Sequence, residues 1–177
     1  MKTKKLTLLS LLSALALVLS FMENMLLPDI PFLPVGAKPG LSNIVTMFTA
    51  SLYGFSGAIY ITLIKGVFAL ITRGGTAAVM SLCGGVLSTA VMCLMIKKEG
   101  KSLSYIGIGV LSAAVHNMGQ LAGACFITGT ASLLSYGKYL LLFGLVTGFV
   151  TGTVLEVSLP KIKKVINQNF NVKEKLK

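Results

Sequence analysis

Long apolar runs alternate with short breaks rich in glycine, proline or lysine along the whole chain. A membrane-crossing helix needs roughly 20 apolar residues. The pattern predicts six such spans, over about 6–27, 41–53, 58–72, 76–96, 103–127 and 139–159. The first break, PDIPFLPVGAKPG, holds four of the five prolines. Gly54-Phe55-Ser56-Gly57, Arg73-Gly74-Gly75 and KKEGK supply the next three. Proline lacks an amide proton and crowds the carbonyl four residues earlier, so Pro160 is expected to end the last helix. The expected fold is an all-α integral membrane protein. Its six transmembrane helices form a single domain over 1–160, and 161–177 is a basic cytoplasmic tail.

Composition agrees with this pattern. The chain is 54% hydrophobic and 12% charged, about half the charged fraction of a soluble domain. The net charge of +11 raises the question of nucleic acid, and its distribution answers it. Twelve of the sixteen Lys and Arg residues lie before the first span, in KKEGK and in the tail. Basic residues gather on the cytoplasmic flanks of membrane helices, so both termini are expected in the cytoplasm. Membrane lipid with anionic headgroups is then a sufficient partner, and nucleic acid is not called for. The opening MKTKKLTLLSLLSALALVLSF resembles a signal peptide but lacks a small-x-small cleavage site, and is expected to stay as the first helix.

Enzyme chemistry finds little support. The five carboxylates, Glu23, Asp29, Glu99, Glu156 and Glu174, are scattered, so no paired acidic motif holds a metal. No GxxxxGK[ST], nucleophile elbow or HExxH occurs. Cys83, Cys93 and Cys125 lie in apolar runs at no ligand spacing and are expected to be inert. The expectation is a non-enzyme without metal or cofactor.

What remains is a small set of polar groups at membrane depth. Lys65 stands between Ile64 and Gly66, where a charge costs at least about 2.5–3.5 kcal/mol. It must face a bundle interior, as a structural ion pair or as a ligand contact. His116, Asn117 and Gln120 fall mid-helix, with His116 and Gln120 one turn apart. Their stripe, with Gly109, Ser112, Gly119 and Gly123, serves either interhelical packing or a ligand. Asn43 and Thr46 enter the second helix just after Lys38, and helix N-termini attract anions. Together with Arg73 these residues outline an outward-facing pocket of positive potential for a small organic anion. Lys38 alternatively meets lipid headgroups. Small residues such as Gly144, Gly148 and Gly152 suit close helix packing.

GAKPGLSNIVTMF followed by HNMGQ resembles the Gx transporter family, also called heptaprenyl diphosphate synthase component I, over about 6–159. That family is similar to the substrate-binding S components of energy-coupling factor transporters. The resemblance implies an S-component-like bundle in the bacterial cytoplasmic membrane, with substrate bound near the outer face. It implies a transmembrane coupling subunit and two ATPase subunits as partners. Docking is expected at a small-residue patch on the first helix, here Ser10 and Ala14. The function so implied is uptake of a small anionic molecule: a vitamin, a flavin, or an isoprenoid or quinone precursor. The alternative is a non-catalytic membrane accessory subunit of heptaprenyl diphosphate synthase in isoprenoid or menaquinone biosynthesis.

Overall fold

The computed structural model describes residues 2–26, 40–97 and 104–170, and all regular structure there is helical. The helices are α1 (Lys2–Leu26), α2 (Leu41–Arg73), α3 (Gly75–Ile96), α4 (Tyr105–Thr128) and α5 (Gly137–Phe170), with a 3₁₀ turn at Ala131–Tyr136 before α5. Among the described residues, five helical segments are long and apolar enough to cross a membrane.

The expected second and third spans fall in one helical run, α2, but that run is folded. Gly54 has φ 67° and ψ −158°, outside the helical region. Lys65 Nζ then lies 2.8 Å from Asn43 Oδ1, 22 residues away. In a straight helix those residues are about 33 Å apart, so α2 turns back on itself at Gly54. The expected four-residue break is reduced to one glycine. Only glycine takes a positive φ there without penalty, and no neighbour lies within 4 Å of a Cβ built on it.

Contacts between successive elements all run in opposite directions. Glu23 of α1 meets Leu41 and Ser42, whereas Lys5 lies over the Tyr53 ring at the other end of the first arm of α2. The second arm meets α3 through Thr62 and Thr89, 2.8 Å apart, and through Gly66 beside Leu82. Ser88 of α3 meets His116 of α4. Asn117 of α4 donates to the Leu140 carbonyl of α5, and Gly109 faces Gly148 and Gly152. Lys5, Tyr53, Lys97 and Tyr105 therefore share one end of the bundle. Glu23, Gly40 and Arg73 share the other.

Glycine seams let the helices approach. A Cβ on Gly109 would lie 2.5 Å from the Gly148 carbonyl, and one on Gly152 2.6 Å from Ile106 Cα. Lipid tails are as apolar as leucine, so close backbone packing must supply what the hydrophobic effect supplies in water. The apolar core, including Leu12, Ala16, Phe48, Ile61, Ile108, Leu155 and Leu159, gathers toward the Lys5–Lys97 end. Large apolar side chains such as Leu11, Val18, Phe126 and Leu142 are exposed on the outside, as a lipid-facing surface requires.

One expectation fails at Pro160. The helix α5 continues through it to Phe170. Proline removes the bond to the carbonyl of Glu156, and both residues are exposed. That carbonyl is therefore not sealed from other partners. Leu155 and Leu159, 0% and 1% exposed, hold this turn against the core.

Candidate functional site

The fold of α2 at Gly54 carries Lys65 to the Glu23–Arg73 end of the bundle, against Asn43 on the first arm. There the helices part around a cavity of about 50 Å³. Asn43, Lys65, Arg73, His116, Asn117 and Gln120, six of the eight expected binding residues, line it. Thr46 lines a void of about 10 Å³ that shares Asn43, Lys65, Ser88 and His116 with the cavity. Lys38 lies outside the described residues. Ser10 and Ala14 are exposed on α1, away from the cavity. Residues from all five α-helices thus converge, although 131 positions separate Ser20 from Thr151 in the sequence.

Glu23 is the residue that sequence reasoning undervalued. It is 3% exposed and lines the same cavity. Its carboxylate accepts the Leu41 amide and, at 3.4 Å, the Ser42 hydroxyl. The α2 N-terminus expected to attract an external anion therefore already holds one from α1. Carboxylates are favoured at such a site because the first turn leaves amide protons unpaired. The sequence carried one signal: a carboxylate near the end of an apolar helix needs partners. Its partners lie 18 and 19 residues downstream, across the proline-rich break, and no local spacing reveals them.

Ser88 Oγ donates to the Gly85 carbonyl at 3.1 Å and lies 3.1 Å from His116 Nδ1. Gln120 Nε2 lies 3.0 Å from His116 Nε2. The ring is held from both sides. Asn117, 5% exposed, donates to Leu140 O at 2.8 Å. It joins α4 to α5 as well as lining the cavity.

Two groups in the wall retain bonding capacity. Lys65 has three ammonium protons, and among the described residues Asn43 is its hydrogen-bond partner. Ser112 is 4% exposed, and its hydroxyl has no partner among the described residues. Buried polar atoms are nearly always satisfied by protein or water, so Ser112 calls for an occupant of the cavity. No cluster of three or more His, Cys, Asp or Glu able to hold a metal occurs among the described residues. The arrangement has the parts for binding: two cations, a carboxylate and many neutral donors at membrane depth.

A family model described as heptaprenyl diphosphate synthase component I matches residues 12–158, most of the chain and all of the cavity. No curated protein and no solved structure matches it.

Proposed function

Since the chain belongs to the heptaprenyl diphosphate synthase component I family, we propose that it is a multi-pass protein of the bacterial cytoplasmic membrane that binds a small organic anion. It acts as the substrate-binding component of an uptake system and is not itself an enzyme. The observation that carries this reading is Lys65. It stands in an apolar helix yet faces a cavity shared with Arg73, Asn43 and Gln120. A charge at membrane depth is costly, and it usually marks a ligand path. The fold of α2 at Gly54 favours six crossings, and the basic flanks favour cytoplasmic termini. The cavity then opens outward. Partners of the energy-coupling kind, a coupling subunit and two ATPases, supply the energy, with Ser10 and Ala14 on exposed α1 as docking points.

The family description favours a second reading, an accessory membrane subunit of a prenyl diphosphate synthase. Native mass spectrometry of the gently purified chain separates the two. Binding predicts a small-molecule adduct that Lys65→Ala loses while the chain stays folded. A bare chain that retains a soluble synthase subunit sinks the uptake reading and establishes the accessory one.

A further inference from the structure

Resting on the binding reading above, we propose that the cavity receives, on Lys65 and Ser112, the oxyanion of a ligand with one negative charge, and that this ligand is not a prenyl diphosphate. Charge is the first argument. Among the described lining residues, Lys65 and Arg73 are cationic and Glu23 is anionic. One net positive charge matches a monoanion. A diphosphate carries more charge and is ordinarily held with Mg²⁺ between carboxylates, and no such acidic cluster occurs among the described residues.

The lining is the second argument. Hydroxyls from Ser20, Ser42, Ser81, Ser112, Thr147 and Thr151 face the cavity, together with the amides of Asn43, Asn117 and Gln120. Side-chain apolar contact comes chiefly from Met47, Met92 and Ala113. The hydroxyls of Ser42, Thr147 and Thr151 and the amides of Asn117 and Gln120 are already bonded within the protein, whereas the Ser112 hydroxyl has no partner among the described residues. An apolar tail beside it would leave that hydroxyl unmatched, at about 1–3 kcal/mol, and an oxyanion satisfies it instead.

Space is the third argument. About 50 Å³ accommodates a single oxyanion group or a few waters, and far less than a prenyl chain needs. An apolar groove lies elsewhere, on the outer face between Leu87, Val115, Met118 and Leu141, with about 380 Å³. It shares no lining residue with the cavity. A chain lying in that groove is not continuous with the cations.

The test uses thiol chemistry in the full chain, with Cys83, Cys93 and Cys125 replaced by alanine and Ser112→Cys added. Three methanethiosulfonate probes are compared: sulfonatoethyl (anionic), trimethylammonioethyl (cationic) and hexyl (apolar). The anionic probe is expected to label at least about tenfold faster than either other, the scale of electrostatic focusing in a cleft. Lys65→Met is expected to erase that preference. Geranyl diphosphate is expected to leave the rate unchanged. Ser81→Cys, on the same wall, replaces Ser112→Cys if the latter does not fold. The proposal is overturned by equal or faster labelling with the cationic or hexyl probe, by protection with geranyl diphosphate, or by no labelling at either position. A Lys65-dependent adduct in native mass spectrometry alongside any of these would leave the binding reading intact and remove only the ligand class.

Discussion

The two ends of the bundle are built on different physics. Toward Lys5 and Lys97, Leu12, Phe48, Ile61, Ile108 and Leu155 fill the interior. Toward Glu23 and Arg73, the same helices present serine, threonine, asparagine and a buried lysine to a cavity. Met47 and Met92 belong to both, as members of the core and as part of the cavity wall. The apolar end gains dispersion and close backbone contact. The polar end carries a desolvated ammonium, which packing alone does not require. A bundle selected only for stability would continue the apolar core to both ends. The contrast supports the proposed binding site at the polar end.

The sharpest way to break the contrast is Lys65→Met. It should remove ligand binding altogether, with at least a hundredfold loss (about 2.7 kcal/mol), in the native mass spectrum or in titrations with any ligand so identified. Thermal unfolding in detergent should show the variant equal to or more stable than the parent, since a buried charge replaced by an apolar isostere is often neutral or stabilising. A large fall in melting temperature would make Lys65 structural.

At the α4–α5 seam, Gly148→Val should give the largest loss of stability. A Cβ there would lie 2.6 Å from Val110 Cα and 2.7 Å from Gly109 O, and backbone does not yield as a side chain does. Overpacking of this kind costs about 1–3 kcal/mol or more, measurable as a lower midpoint in denaturant. Unchanged stability would mean that the seam is looser than described.

Glu23→Gln should cost about 1.5–3 kcal/mol, the range for hydrogen bonds to a charged group. It keeps an acceptor for the Leu41 amide while removing the charge near Lys65 and Arg73. If the carboxylate also sets the net charge of the cavity, the preference of Ser112→Cys for the anionic probe should rise. Gly54→Ala should cost about 1–3 kcal/mol from backbone conformation alone, because φ 67° with ψ −158° is a region essentially confined to glycine, although open space surrounds it. A much larger loss would show that the fold of α2 depends on more than that one backbone angle.

Much of this architecture was legible in the chain, and the exceptions have physical reasons. Lys65 stood out because a lone charge in an apolar run has few solutions. The pair His116 and Gln120 was legible because one turn separates them. The glycines 144, 148 and 152 predicted a close seam, and the structure places Gly148 and Gly152 against the α4 backbone and Gly144 beside Asn117. The hydrogen bonds of Glu23 were not legible because its partners begin the next helix. Ser88 beside His116 was not legible because it lies on another helix. Pro160 was misjudged because an exposed carbonyl and a packed neighbour let a helix survive a residue that usually stops one.

That survival gives α5 an unusual reach. Its 34 residues extend about 51 Å at 1.5 Å per residue, against a hydrocarbon layer of about 30 Å. The surplus is several helical turns and bears Lys161, Lys163 and Lys164. Because the helix is continuous from the cavity wall at Thr147 and Thr151 to those lysines, a tilt of a few degrees at the cavity would displace the basic tip by ångströms.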